Sequence, residues 1–270
     1  MQIAHLDDVN LEYEMAGAGE PVLFISPVLA DGFLPLLRHS AVVDQYQLIH
    51  YHRRGWVGST HTPGPVSIHQ HVADAAALLG HLGVAPVHVV GHSSGAAVGA
   101  QLALDHPDKV HTLTLLELSL LSLPKGHAFL QAAGPVIEIY QAGDHEHAFA
   151  AFMSAVSGLD WDSCRATLDA QTPGVVAQSI KDADTFFGIE LPSLAEWSLD
   201  ADQARAITQP VLSVLGSDTE LLWVEVAAFL RTNVSQVEEA KIDGVGHLLH
   251  IQQPDPVANV IADFLRTHPV

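Results

Sequence analysis

The feature that most constrains this chain is a five-residue turn, Gly91-His92-Ser93-Ser94-Gly95, set between the apolar run VHVV at 87–90 and a small, apolar stretch of helical character at 94–106. A strand that passes into a helix over so few residues must bend sharply, and small neighbours let it do so while Ser93 Oγ projects outward. The backbone N–H of Ser94, at the helix N-terminus, then points to where a negatively charged oxygen would develop. A serine hydroxyl is a poor nucleophile without an adjacent base. Among the 18 histidines, the best placed is His247 in Asp243-Gly244-Val245-Gly246-His247, a glycine-hinged loop after the last β-rich run and before the last helix.

Around the turn, short β-rich runs alternate with helical patterns over residues 1–120, which predicts βαβ units and a parallel sheet. The clearest strands are 21–26 (PVLFIS), 47–52 (QLIHYH), 87–90 and 112–116 (TLTLL). Residues 67–82 carry Val72, Ala75, Ala76, Leu79 and Leu82 at helical spacing, and Gly83 stops them. From 124 to 205 the strand signal fades and helical pattern takes over, broken at Gly134-Pro135, Gly143, Gly158, Pro173-Gly174 and Pro192. Strands return at 211–215 (VLSVL) and 237–242, with helices expected at 220–231 and 256–267. The fold class is therefore α/β, a mostly parallel sheet flanked by helices and interrupted by a helical insertion of the kind that covers a pocket.

Charge limits the partners. A formal net charge of −20 gives no footprint for nucleic-acid phosphates and would be repelled by an anionic membrane surface. No apolar run reaches the roughly 18 residues of a membrane helix. The N-terminal residues lack a basic region followed by an apolar one, so a cytoplasmic protein is expected. Cys164 is the one cysteine and is expected to be a small buried residue. Residues 124–205 hold 12 acids against 4 basic residues, a net of −8, which disfavours a strongly anionic substrate.

Gly91–Gly95, the Gly-x-Gly-His at 244–247, and His52-Arg53-Arg54-Gly55-Trp56-Val57-Gly58-Ser59 together resemble the α/β-hydrolase superfamily, in its serine-nucleophile branch. Pro210–Gly216 resembles the strand before the usual acid loop of that family. The resemblance implies a core of residues 1–123 and 206–270 and a helical lid at 124–205. It implies a triad of Ser93, His247 and an acid. The family's usual acid position falls on Thr219, between Asp218 and Glu220; a second placement, at the end of the sixth strand, falls on Glu117. Glu117 is favoured, with Asp218 as the alternative, because an acid in the apolar run Leu115-Leu116-Glu117-Leu118 needs a buried partner and a histidine Nδ1–H would be one. The second oxyanion donor falls on the Val28 amide, although Ser26-Pro27-Val28 replaces the family's usual His-Gly start.

The resemblance implies a serine hydrolase acting on an ester or related acyl bond of a small, neutral to weakly polar substrate. The same fold also serves carbon–carbon hydrolysis, cofactor-free oxygenation and lyase reactions, in which the His–acid pair is the base, and it can serve as a ligand-binding module. No cofactor and no metal are expected, and a homodimer is compatible with the sequence. Arg53 and Arg54 are expected to pair with acids more than to bind a substrate carboxylate. Asp144-His145-Glu146-His147 reads as a solvated stretch, and His92 as a packing residue. Phe152, Phe186, Phe187 and Trp197 are candidates for lining an apolar pocket.

Overall fold

The apolar runs become the central strands of one sheet in the computed structural model, which describes residues 1–270. The strands are β1 (Gln2–His5), β2 (Asn10–Ala16), β3 (Glu20–Ile25), β4 (Tyr46–Tyr51), β5 (Val87–His92), β6 (Val110–Leu116), β7 (Val211–Gly216) and β8 (Val237–Ile242). Their order across the sheet is β1-β2-β4-β3-β5-β6-β7-β8. From β4 to β8 all neighbours are parallel, whereas β1 and β2 form an antiparallel margin. The two marginal strands were not among the clearest runs in the sequence. Their signal is the alternation of Leu11, Tyr13 and Met15 with polar residues, weaker than the continuous apolar runs of a sheet covered on both faces.

Helices cover both faces. The turns α1 (Leu34–Leu37) and α2 (Ser40–Val43) follow β3, α3 (Ile68–Leu82) follows β4, and α4 (Ser94–Asp105) follows β5. Ser67 caps α3 by accepting the Gln70 N–H, and Gly83 ends it at φ 67°. After β6 the chain runs through α5 (Pro124–Ala132), α6 (Gly134–Gln141), α7 (His145–Ser157), α8 (Trp161–Gln171), α9 (Val175–Lys181) and α10 (Ala183–Thr185). A π-helical turn (Phe186–Glu190), α11 (Leu191–Glu196) and α12 (Ala201–Ala206) lead to β7. The remaining helices are α13 (Leu221–Asn233), α14 (Leu249–Gln252) and α15 (Pro254–Thr267).

Because alternate strand residues face opposite sides, the sheet divides its core. Val22, Phe24, Val90, Leu116 and Val214 pack with Phe33, Leu249, Ile261 and Phe264. Leu23, Ile25, Val89 and Leu115 pack with Val72, Leu79, Ala97 and Leu102, and this larger cluster continues into the helices between β6 and β7. The chain changes direction across the sheet at β3, which has β4 on one side and β5 on the other. A crevice outside the carboxyl ends of the strands is expected at such a switch point.

Candidate active site

Ser93 sits at the junction of β5 and α4 with φ 55° and ψ −119°, a conformation costly for a residue with a side chain. The turn is held by the Ser93 N–H, which donates to Leu116 O at 3.0 Å, and by Ser93 O, which accepts from the Ser119 N–H at 3.2 Å. Its flanks must be glycine. A Cβ on Gly95 would stand 2.0 Å from Ile25 O, and one on Gly91 2.6 Å from Ala96 Cα. The same contact brings the end of β3, and with it Pro27 and Val28, beside the first turn of α4. The helix that supplies the Ser94 N–H is twelve residues long and buried through its first ten, so its N-terminal donors are fixed.

His247 follows β8 and is buried, with Nδ1 2.8 Å from Glu117 Oε2. Glu117 ends β6 at φ 46°, another non-glycine residue in the left-handed region. Its Oε1 accepts the Gly216 N–H and its Oε2 accepts the Thr219 hydroxyl, both at 2.8 Å. Burial pushes the Glu117 carboxyl up to about 7, against the pull of these two donors. Burial pushes His247 down to about 3. Both shifts oppose a charge in a dry site. The indole of Trp223, from α13, lies flat on the imidazole, with ring centroids 3.8 Å apart and planes inclined by 18°. On the far side, His92 Nε2 donates to His247 O at 2.9 Å, consistent with a packing and hydrogen-bonding role for that neighbour.

Asp218 stands elsewhere. It is exposed, accepts the Ser217 hydroxyl at 2.7 Å, and donates its N–H to Val245 O. Thr219, at the usual acid position, braces Glu117 instead. The hydrogen-bond partner of Ser93 Oγ is Ser119 Oγ at 3.0 Å, not His247. Ser119, Trp223 and Glu190 are the site residues that sequence reasoning missed.

Glu190, the last residue of the π-helical turn, is buried and joins that turn to α4 and to the loop after β4. Its Oε1 accepts the Ser94 hydroxyl at 2.5 Å, and its Oε2 accepts from Arg53 Nη2 at 2.7 Å and Trp56 Nε1 at 3.1 Å. Arg53 Nε donates in turn to Ser26 O at 2.9 Å. Arg54 makes a two-pronged pair with buried Asp74, at 2.7 and 2.9 Å, and a third contact with Asp8. Both arginines thus pair with acids and brace their loop, although Arg53 Nη1 is buried without a partner.

Ser93 and His247 line one small pocket with Val28, Ser94, Phe152 and Phe186, most of its wall being apolar. Two aromatic expectations are corrected. Phe187 is not on the wall but stacks on Tyr140 behind it, with centroids 5.1 Å apart, and Trp197 turns its Nε1 to Gln101 Oε1 against α4. Both are large apolar surfaces that packing against neighbouring helices claims first. Asp144 caps α7 and pairs with His147, so the Asp-His-Glu-His run is a solvated helix start. The one group with ligand atoms close enough for a metal is Asp31, His50 and His52, away from this pocket, where His52 is shared between Glu12 and Asp31. Cys164 is buried. No helix is long and apolar enough to cross a membrane.

The family model described as the alpha/beta hydrolase fold matches residues 17–254. RutD of Azorhizobium caulinodans, provisionally named a carbamate hydrolase, is 34% identical over 116 residues, which are 43% of this chain and 44% of that protein. The protein of the same provisional name from Klebsiella pneumoniae subsp. pneumoniae is 26% identical over 255 residues, 92% of each chain. Matches to several curated relatives thus span less than half of their length, the Klebsiella alignment nearly all. Among solved structures, a thermophilic esterase from Thermogutta terrifontis superposes with a TM-score of 0.81 at 20% identity, covering 100% of both chains.

Proposed function

The chain belongs to the alpha/beta-hydrolase family, and from that premise we propose that it is a hydrolase that cleaves an ester or related acyl bond, with Ser93 as nucleophile, His247 as base and Glu117 as the orienting acid. The single observation that carries this reading is the buried 2.8 Å contact between His247 Nδ1 and Glu117 Oε2 in the pocket that holds Ser93. With its Nδ1–H donated to the carboxylate, neutral His247 presents Nε2 as the base. The Ser93 proton passes to it as Oγ attacks the carbonyl, and returns to the leaving group. The Val28 and Ser94 amides hold the tetrahedral oxyanion, each worth about 3 kcal/mol of transition-state stabilisation.

The Ser93 hydroxyl leaves Ser119 and turns to His247 when substrate enters, since such contacts commonly tighten only in the reacting complex. Residues 124–205 act as the lid, and the apolar wall together with the acidic lid favours a small, neutral to weakly polar substrate. The carbamates of the relatives' names are acyl bonds of the same chemical type. A purified-protein assay with nitrophenyl esters tests the reading: Ser93→Ala should abolish turnover and keep the fold, and unchanged hydrolysis would sink it.

One observation favours a second reading. Because Ser93 Oγ is paired with Ser119, His247 and Glu117 could instead serve as a base toward a substrate C–H or O–H, with Ser93 secondary. A fluorophosphonate probe separates the two, since rapid labelling of Ser93 requires an activated hydroxyl.

A further inference from the structure

The catalytic pocket offers only about 30 Å³, room for a water or two. Beside it lies a recess of about 380 Å³ between α5, α7 and α13, within the size range of ligand sites. Phe129, Phe152 and Leu222 line both spaces and form the partition between them. Its remaining apolar wall is mostly alanine, with Val136 and the exposed Leu221. Ala128 and Ala132 lie four apart on one face of α5, and Ala155 stands opposite on α7. Lys125 and Glu220 are its one basic and one acidic residue, so the recess carries no net charge of its own.

The opposite side of the pocket is fastened. Drawing the π-helical turn away from the core would strip Glu190 of Arg53, Trp56 and Ser94 and leave buried charge unpaired. On the α5 side, movement of Phe129 and Leu222 exposes apolar surface alone. Resting on the ester-cleaving reading above, we infer that the recess between α5, α7 and α13 is the seat for an uncharged apolar chain of the substrate, and that Phe129 and Leu222 part to join it to Ser93. The substrate class is thereby an ester with a medium-length alkyl chain, not an acetate-sized one.

Ala132→Trp, on an exposed helix position outside the catalytic pocket, fills the recess. With nitrophenyl octanoate or octyl acetate, kcat/KM should fall at least tenfold, while nitrophenyl acetate stays within twofold; the two octyl arms tell an acyl-side chain from an alcohol-side one. Equal retention of both octyl substrates would overturn the proposal. Calorimetric binding of nitrophenyl octanoate and of octyl acetate to Ser93→Ala, with and without Ala132→Trp, reads the seat without turnover, and whichever of the two loses kcat/KM should weaken at least fivefold; no weakening of either would overturn the seat. Undiminished Ser93→Ala hydrolysis would remove the mechanism but not this comparison. A dimer dissociated by Ala132→Asp, with the chain-length profile unaltered, would reassign the recess as a subunit interface and overturn the seat.

Discussion

The Thr219 hydroxyl donates to Glu117 Oε2 at 2.8 Å, so the loop that usually supplies the triad acid in this family here supplies a donor to an acid on the neighbouring strand. Glu117→Gln removes the charge opposite His247 Nδ1 and should lower kcat/KM by about 10³- to 10⁴-fold. Asp218→Asn, on an exposed side chain bound to Ser217, should stay within twofold. Ester assays on the two variants, with circular dichroism as a check on folding, decide the assignment.

The pH profile should carry the same signature. The carboxyl sits at about 7 because burial outweighs the Gly216 and Thr219 donors. Above that value it is ionised and accepts from His247; below it, protonation removes the acceptor, so kcat/KM should fall as pH drops through about 7. Thr219→Val takes away one stabiliser of the carboxylate and should move this limb upward. A limb left in place would show that Glu117 does not control it.

Stability should depend on acid through different groups. Burial holds His71, His92, His247 and His250 below the usual imidazole range. Each binds a proton in the unfolded chain below about pH 6.5 but not in the fold, so their stabilisation is present above that pH and lost as pH falls. Glu117 works in the other direction, taking up a proton in the fold between about 7 and its ordinary carboxylate value. The four depressed imidazoles outnumber this one carboxyl, so the unfolded chain takes up more protons than the fold as pH falls, and stability declines with it. Urea midpoints at pH 7.5, 6.5 and 5.5 should decline with increasing steepness; a flat series would contradict the burial of these rings.

Arg53→Ala leaves Glu190 charged, buried and short of its main partner, at a cost of about 3–5 kcal/mol. Arg53→Met with Glu190→Leu, which removes both charges, should recover much of that loss. Thermal melts of the single and double variants measure the coupling; additive losses would deny it.

How far the site was legible follows from where its residues lie. Ser93 and Glu117 stand directly at strand ends and His247 in the glycine-hinged loop after β8, where local pattern marks the element and the turn marks the residue. Glu190 was invisible as one acid among the 12 of an acidic helical stretch. Its burial depends on Arg53 and Trp56, more than 130 residues earlier. Trp223 and Ser119 were hidden for a similar reason: a helix rotation and a loop path decide what they touch, and neither has a sequence signature. The aromatic cluster shows the limit from the other side. Phe186 and Phe187 are adjacent and chemically identical, yet one meets the pocket and the other meets Tyr140.

The π-helical turn at Phe186–Glu190 acts as a phase shifter. An α-helix advances about 100° per residue, and a single surplus residue rotates everything beyond it relative to what came before. The face of the helix that carries Phe186 into the pocket and the face that carries Glu190 to Arg53 are thereby set independently. Loss of one residue from this segment would restore regular winding and swing the carboxylate off its partners while leaving the aromatic wall intact. The segment thus holds, in one codon's worth of length, the alignment between what the insertion encloses and what it is anchored to.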